Sequence, residues 1–374
     1  MAKEYSFNQV KNYNPNIPEL KLSFLNNFLW SLDFFIDFVF SKNRKPKNEN
    51  DVIIKSNKSG ISNRIFEEFM QQNKTEYLNP FPLPEINSAD LTKKQFTKWR
   101  VKINTPIILR GFIKQSKACQ DWSLDWLLEN FGNKKILCLP PDMKSLLGQD
   151  VKLIELTVHD FCTQEKYRDY YINNHHSIFD ATDFYDNCQG SKVDKLRGLK
   201  HIVCQWFISR SNKTGTKLHC ANGDNMFINV KGRKEWHFIH PSYTPLLSPA
   251  LSKYGVYAVS EVEESMNDKW EAIIEKYPHF KYIPKYKAIL EEGDVMLNPP
   301  WWWHTVRNLD DFTVGCATRY LTNLKTANNI PAFNYCQMAD SIKHPKKSIY
   351  PLTLGMLFFR RSKEKLINSV FSKK

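Results

Sequence analysis

The sequence predicts a mainly β protein, a sandwich or barrel with helices flanking it at both ends. From about residue 106, short runs rich in branched and aromatic residues follow one another, and Gly, Pro and Asn residues separate them. A single helix-like segment interrupts these runs, which disfavours the strand–helix alternation of a parallel α/β sheet. Apolar residues make up 42% of the 374 residues, which is enough for a large core and excludes a wholly disordered chain.

The predicted strands are short and are bounded by turn residues. They are PIILRGF (106–112), KKILCL (134–139), VKLIELTV (151–158), HIVCQWFI (201–208), NMFINV (225–230), KEWHFIH (234–240), DVMLNPP (294–300) and FTVGCAT (312–318). The helix among them is SLDWLLENF (123–131). Further helices are expected near 63–72 and 90–101, and again after residue 325.

The N-terminal part differs from the rest of the chain. A polar arm (1–20) precedes an apolar stretch (22–40), and a polar linker (41–62) follows it. The stretch is predicted to be an amphipathic helix whose polar residues share one face: Asn26, Asp33 and Asp37. Such a helix packs on the protein's own core or makes a peripheral membrane contact, which the basic residues after it would assist.

Three segments result: an N-terminal segment (1–62), a barrel with its helical lead-in (63–325) and a basic helical C-terminal segment (326–374). Pairing of two chains through the C-terminal helices remains open. The start of the chain lacks an apolar signal region, and eight scattered cysteines without a CxxC pair are typical of free thiols in a reducing compartment. We therefore expect a cytoplasmic protein.

The net charge of +14 admits an anionic partner of some kind, such as a nucleic acid, a membrane surface or an acidic substrate. Much of the excess lies in the linker and at the two ends of the chain, away from the barrel motifs described next. The charge therefore indicates solubility or surface association, and nucleic-acid binding is the least supported of the three.

The first chemically informative segment is TGTKLHCANGDNMFINVKGRKEWHFIHP (214–241). It contains His219, with Thr216 three positions before it and Asn225 six positions after it. A Gly-Arg-Lys sequence then ends at Lys234, and a tryptophan follows two residues later. A lone histidine is more often structural than functional, so the meaning of this segment depends on a second one.

The second segment is EEGDVMLNPPWWWHTVRNLDD (291–311), in which His304 follows the run Trp301–Trp303. Together the segments resemble the T-x-x-H-x-D, N, G-x-K and G-D-V-x-x-x-P-x-W-W-H motifs of JmjC/cupin-like iron(II)- and 2-oxoglutarate-dependent oxygenases. The closest likeness is to the branch that includes the asparaginyl hydroxylase of hypoxia-inducible factor. The resemblance covers about 105–325 and is weak before that.

This resemblance implies a double-stranded β-helix, the jelly-roll barrel of the cupin/JmjC type. It implies that His219 and His304 bind Fe(II), and that 2-oxoglutarate is the cosubstrate. Lys234 would then hold the far carboxylate of 2-oxoglutarate as a point charge, with the Thr216 hydroxyl as a donor to the same group. Asn225 matches the family's asparagine and belongs to the same cosubstrate site.

The resemblance fails at one ligand. The family places its carboxylate two residues after the first histidine, where this chain has Ala221, which cannot bind iron. Three explanations stay open: chloride takes the vacated position, as in the His-x-Ala pattern of iron/2-oxoglutarate halogenases; another group such as Asp224 replaces the carboxylate; or catalysis is lost and the fold serves binding. Because both histidines, the threonine and the lysine are retained together, we favour the first.

The last predicted strand raises a further question. The family branch has an asparagine beside the cosubstrate there, and the sequence FTVGCATRYL offers Ala317 or Thr318 at that position. Thr318 is our candidate for a cosubstrate contact. Arg319 is either a second anion-binding group or a surface arginine on the strand.

The leading hypothesis is an Fe(II)/2-oxoglutarate-dependent oxidoreductase that halogenates an unactivated C–H bond, with Ala221 as the residue that decides the reaction. The alternatives are a hydroxylase with an altered metal site and a non-catalytic cupin-fold binding protein. The substrate is a small molecule or a peptide. Histone demethylation is disfavoured, because neither a reader domain nor a zinc motif accompanies the barrel.

Overall fold

The computed structural model confirms the mainly β fold, with two seven-stranded sheets packed face to face and helices outside them. It describes residues 7–40, 60–141, 153–175, 178, 182–252, 256–260, 262, 270–320 and 329–343. In chain order the strands are β1 (Phe81–Pro82), β2 (Glu85–Asn87), β3 (Ile107–Arg110), β4 (Lys135–Cys138), β5 (Ile154–Thr157), β6 (Tyr171–His175), β7 (Val203–Ser209), β8 (Gly215–Ala221), β9 (Asp224–Lys231), β10 (Lys234–Ile239), β11 (Pro249–Leu251), β12 (Tyr257–Ser260), β13 (Tyr286–Leu290), β14 (Val295–Asn298), β15 (Trp303–Asn308) and β16 (Thr313–Tyr320).

The two sheets enclose the interior of the barrel. The first sheet has the order β1-β13-β10-β15-β8-β12-β11, and the second has the order β2-β3-β14-β9-β16-β7-β6. An apolar cluster between them combines Trp236 and Phe238 of the first sheet with Phe227 and Ala317 of the second. This is the jelly-roll-like architecture of the cupin fold, and β4 and β5 form a separate two-stranded sheet.

Helices cover the outer faces of both sheets. They are α1 (Phe24–Phe40), α2 (Gly60–Gln72), α3 (Lys93–Lys98), α4 (Lys117–Asp121), α5 (Leu124–Phe131), α6 (Val158–Thr163), α7 (Thr182–Asn187), α8 (Gly190–Arg197), α9 (Trp270–Lys276) and α10 (Pro331–Lys343). Helices α3 to α8 pack on the outer face of the second sheet. Helices α1, α2, α9 and α10 pack outside the first. Each sheet is thus buried on both faces, which explains its continuous apolar runs.

All eight predicted strands are present, and the predicted helix 123–131 is α5. The helix expected near 90–101 is α3, which continues as a wider π-type turn over Trp99–Ile103. Helix α2 begins at Gly60, so residues 60–62 belong to a helix and the linker prediction was wrong there, because Ile65 and Phe69 bury one face of that helix. The remainder of the linker (41–59) and the basic C-terminal stretch (344–374) lie outside the described residues.

The amphipathic helix predicted at 22–40 is confirmed as α1, but its polar face was assigned wrongly. Asn26 shares the buried face with Trp30, Phe34 and Phe38, and its amide donates to Glu68 of α2 at 2.5 Å. The exposed face is instead rich in large apolar residues: Phe24, Leu25, Phe28, Leu32, Ile36 and Phe40. Periodicity alone could not reveal the Asn26 partner, which lies 42 residues away in the chain.

Two other sequence inferences can be compared with the described part of the chain. In that part, no helix is both long and apolar enough to cross a membrane. All eight cysteines lie in it as free thiols, as their scattered spacing predicts, and six of them are buried.

Gly215 in β8 tests how closely the two central strands approach. A Cβ atom there would lie 2.1 Å from the Val306 carbonyl oxygen of β15, which is backbone and cannot move aside. We expect Gly215→Ala to lower the free energy of unfolding by about 1–3 kcal/mol, as measured by urea denaturation. Gly223→Ala is the control, since its Cβ would meet no atom closer than 3.6 Å. Equal stability of the two variants would contradict the close approach.

Candidate metal and cosubstrate site

Two histidines from neighbouring strands lie side by side in the barrel interior. Antiparallel pairing of β8 with β15 sets His219 directly opposite His304, and their ring centroids are 4.1 Å apart. His304 is buried, and Trp236 and Phe238 of β10 pack against its ring. We call His219 and His304 the histidine pair.

Each histidine of the pair is held in the same tautomer. The Nδ1 atom of His219 lies 2.7 Å from the Lys217 carbonyl oxygen, and that of His304 lies 2.8 Å from the Trp302 carbonyl oxygen. Because a carbonyl only accepts, both Nδ1 atoms carry the proton and both Nε2 atoms keep a lone pair. Burial lowers the pKa of His219 to about 4 and that of His304 well below its ordinary value. Both imidazoles are therefore neutral at neutral pH, the form that binds metals.

The strand register identifies the other residues that share this interior face with the histidine pair. In β10, Phe238 pairs with His304 and Lys234 pairs with Asn308, so these residues share a face with the histidine pair. Thr216 pairs with Val306, between the two ends of that row. An irregularity in the β8–β15 pairing follows the histidines, which lets Thr216 lie three residues from His219 and still face inward.

Lys234 lies fully buried at the far end of this row. Its ammonium donates to Asn308 Oδ1 at 2.5 Å and to Thr313 Oγ1 at 2.9 Å, and in the described part of the chain no carboxylate contacts it. Gly315 leaves room for it, since a Cβ there would lie 3.2 Å from the Lys234 Cε. Burial lowers the pKa of Lys234 to about 7. A buried cation without a counter-charge indicates an anion site.

Three buried oxygens near the pair have no hydrogen-bond partner among the described residues: Thr216 Oγ1, Asn225 Oδ1 and Asn298 Oδ1. Asn225 and Asn298 are opposite each other on β9 and β14, and the Asn298 amide nitrogen lies 3.3 Å from His304 Nε2. Each unpaired buried polar group costs roughly 1–3 kcal/mol, so this grouping indicates a polar ligand or water. The sequence did not single out Asn298, whose one signal is a polar residue ending the buried strand DVMLN.

Ala221 faces the same side of β8 as His219, because the intervening Cys220 packs into the outer apolar cluster. The backbone N–H of Trp301 donates to the backbone carbonyl oxygen of Ala221 at 2.7 Å. Trp301 has a φ of +66°, a left-handed conformation that is rare for a bulky residue and costs of order 1–3 kcal/mol. Its fully buried ring packs on Phe333, which holds it in place. All three tryptophans of the run 301–303 are buried.

No carboxylate takes the place that Ala221 leaves open in the described part of the chain, where no group of three or more His, Cys, Asp or Glu residues is placed to hold a metal. Asp224, the substitute considered from the sequence, faces the outer side of the second sheet. Its Oδ2 accepts from Arg197 at 2.5 Å and from Arg100 at 3.3 Å. Asp224 is therefore not the missing ligand.

Of the two candidate residues on β16, Thr318 and Arg319, one faces the interior of the barrel. Thr313 and Gly315 both contact Lys234, and Ala317 joins the interior cluster, so the odd-numbered residues face inward. Arg319 continues this face, whereas the Thr318 hydroxyl lies 3.7 Å from the Cys316 sulfur on the opposite side. The structure thus brings Arg319 near the histidine pair and turns Thr318 away from it. Alternation along the strand would have distinguished them.

A cavity of about 160 Å³ opens beside the same end of the barrel. The N-terminal arm covers it with Tyr13 and Glu19, and Tyr243, Tyr286 and Trp302 line the barrel side. Neither histidine lines this cavity, but Trp302 does, and its carbonyl oxygen accepts the His304 hydrogen bond.

The cupin-like domain family matches residues 93–320, which is more than half of the chain and spans strands β3 to β16. The chain belongs to the cupin-like domain family. In this family member both histidines and the buried lysine lie on the interior face of the first sheet, and Ala221 lies two residues after His219 on the same face.

Curated relatives include proteins with named activities. The chain is 23% identical to arginine-specific demethylase JMJ20 of Arabidopsis thaliana over 265 residues, 61% of this chain and 55% of that protein. It is 32% identical to human HSPB1-associated protein 1 over 139 residues, 37% of this chain and 28% of that protein. It is 23% identical to the bifunctional arginine demethylase and lysyl-hydroxylase psr-1 of Caenorhabditis briggsae over 277 residues, which are 66% of this chain and 64% of that protein. The chain thus spans about half or less of the first two relatives.

The residues present fit a metal held by two histidines. Both Nε2 atoms keep a lone pair by the tautomer argument, and a metal would displace the Asn298 amide nitrogen that lies 3.3 Å from that of His304. Three unpaired buried oxygens lie nearby. We expect the protein to bind Co(II), a spectroscopic substitute for Fe(II), in the presence of 2-oxoglutarate. His219→Ala and His304→Ala should each weaken this binding by at least about tenfold, as measured by visible Co(II) absorbance.

His237→Ala serves as the matched control. His237 lies on β10, but its Nε2 lies 2.8 Å from Glu235, and its side chain faces away from the pair. Its loss should leave Co(II) affinity unchanged. Equal loss of affinity in all three variants would show that the metal does not bind at the histidine pair.

Proposed function

We propose that the protein is an Fe(II)- and 2-oxoglutarate-dependent oxidoreductase that oxidises an unactivated C–H bond. The observation that carries the proposal is the β8–β15 register, which aligns two neutral histidines on one interior face. The unpaired cation Lys234 on the same face supports a dicarboxylate cosubstrate. The names of two relatives, a demethylase and a demethylase/lysyl-hydroxylase, support oxidation as the class of reaction.

In this proposal each residue has a defined task. His219 and His304 hold the iron through Nε2, with their orientation fixed by the carbonyl bonds at Nδ1. Lys234 and the Thr216 hydroxyl hold the far carboxylate, and the Lys234 charge then gains the partner that it lacks. When bound, iron and 2-oxoglutarate together with dioxygen supply the oxidising power for C–H cleavage.

The surrounding apolar residues keep this chemistry away from bulk water. Trp236 stacks near the His304 ring at 5.4 Å and Phe238 lies at 5.8 Å on the same side. Both are almost fully buried. Apolar side chains that exclude water strengthen the electrostatic interactions of the bound cosubstrate and limit side reactions.

Ala221 supports halogenation as the specific reaction, because its methyl group leaves a coordination position open to an anion such as chloride. Asp224 is bonded to two arginines and cannot compete for that position. Hydroxylation of a protein or peptide side chain is the second candidate, and the names of JMJ20 and psr-1 favour it. A non-catalytic binding protein is the remaining alternative.

We further propose a substrate class, a cellular compartment and partners for the protein. A small molecule or a peptide is the proposed substrate, and the cytoplasm is the proposed compartment. The exposed apolar face of α1 supports a peripheral membrane contact, and the exposed Tyr335, Met338 and Ile342 of α10 support pairing of two chains. Nucleic acid is not among the proposed partners.

Turnover with and without chloride separates the two reactions. For a halogenase we expect 2-oxoglutarate-coupled product formation to require chloride, and for a hydroxylase we expect it to be indifferent to chloride. Product mass after incubation with candidate peptides and small molecules measures this. Ala221→Asp restores a carboxylate, and in a halogenase it should remove chlorinated product and give hydroxylation or inactivity. An unchanged product would show that Ala221 does not face the metal.

Lys234 predicts how 2-oxoglutarate affinity depends on pH. The lowered pKa means that the free protein loses the ammonium charge as the pH rises through about 7. The dissociation constant of 2-oxoglutarate should therefore rise about tenfold per pH unit above that value, measured by calorimetry between about pH 6.5 and 8.5. Lys234→Met should weaken binding severely and remove this dependence on pH. The buried Lys285, bonded to the carbonyls of Phe280 and Ile283, provides the control variant Lys285→Met, which should keep both affinity and slope.

A further inference from the structure

Arg319 is a second interior cation without a counter-charge. Its Nε donates to Gln205 Oε1 at 2.7 Å, a neutral partner. In the described part of the chain no carboxylate contacts its guanidinium, and the side chain is half-buried. Burial lowers the pKa of Arg319 to about 10, so it stays charged at neutral pH.

The position of Arg319 relates it to the histidine pair. It pairs with Asn225 across β16 and β9 and faces inward with Ala317. Its Cδ lies 3.6 Å from the point where a Cβ on Gly223 would be, in the turn that follows Ala221. In keeping with this position, its charge contributes to the lowered pKa of both histidines.

The charges at this end of the barrel disfavour a bare divalent cation. The histidines are neutral, Ala221 contributes no charge, and Arg319 adds a positive charge in a poorly solvated interior. Like charges repel more strongly there than in water. Asp224 offers no balancing charge, because it is bonded to two arginines on the outer side of the second sheet. An anion bound between the metal and the Arg319 guanidinium would attract both charges and turn this net repulsion into attraction.

We propose that Arg319 makes metal binding at the histidine pair conditional on an anionic ligand, so that 2-oxoglutarate and the metal bind cooperatively. This inference rests on the proposed function, since it assumes that a metal binds at the pair. A carboxylate at position 221 would have balanced the charge of the metal, whereas Arg319 adds to it, so the bound anion must supply the balance. Because coupling is reciprocal, the metal tightens 2-oxoglutarate binding by the same factor.

Calorimetric titration of the full-length protein with Co(II) in halide-free buffer, with and without 2-oxoglutarate, tests the inference. For the wild type we expect 2-oxoglutarate to tighten Co(II) binding by at least about tenfold, within the usual range of coupling between sites. Arg319→Gln should bind Co(II) alone more tightly than the wild type and show a smaller gain from 2-oxoglutarate. Arg319→Lys keeps the charge and should keep the coupling.

Arg168→Gln is the control, because it removes the same charge from an exposed pair with Asp311. It should behave as the wild type, and circular dichroism of each variant verifies folding. Two results would overturn the inference and leave the histidine site intact: equal Co(II) affinity of the wild type with and without 2-oxoglutarate, or coupling of the same size in Arg319→Gln as in the wild type. Absence of Co(II) binding under both conditions would overturn the proposed function itself.

Discussion

The pairing of β8 with β15 is the interaction on which the rest of the site depends. A one-residue slip in this register would turn every side chain of a strand to the opposite face of the sheet and separate the histidines. The same register aligns Thr216 with Val306, and the adjoining β10–β15 register aligns Lys234 with Asn308. One set of backbone hydrogen bonds therefore fixes the distance between the proposed metal ligands and the proposed carboxylate anchor. The strained Trp301, bonded to the Ala221 carbonyl, ties the end of β8 to the entrance of β15.

Uncompensated positive charge is the second property that defines the interior. Lys234 and Arg319 both lie on inward-facing positions, and each is bonded only to neutral side chains in the described part of the chain. Isolated charges in a poorly solvated interior are costly, and proteins keep them where a ligand supplies the opposite charge. Asp224 illustrates the contrast, since its carboxylate is buried on the other face with two arginines and belongs to the packing of α8 and the π-type turn on the second sheet. These two interior cations are the physical basis of the proposal that anions bind on the inner side of the barrel.

Motif spacing in the sequence predicted the fold and several residues that the structure brings together on one interior face. Strands such as NMFINV and KEWHFIH have branched and aromatic residues that identify them directly, and the histidine spacing matched a known pattern. The sequence GTKLHCA of β8 was harder to recognise, because glycine, lysine and histidine weaken its strand signal. Asn298 matched no motif. The sequence placed Thr318 at the cosubstrate and left Asp224 as an open alternative, because the faces of both residues follow from alternation in strands whose register depends on partners distant in the chain. The buried Asn26–Glu68 pair likewise joins two helices that no local pattern connects.

The central claim is that the histidine pair and Lys234 together hold iron and 2-oxoglutarate. Anaerobic addition of Fe(II) and 2-oxoglutarate, followed by the visible charge-transfer absorbance of the complex, tests it most directly. We predict a band that saturates with both components in the wild type, that is lost in the double variant His219→Ala/His304→Ala, and that needs far more 2-oxoglutarate in Lys234→Met. A band of undiminished intensity in the double variant, or none in the wild type at saturating concentrations, would contradict the account.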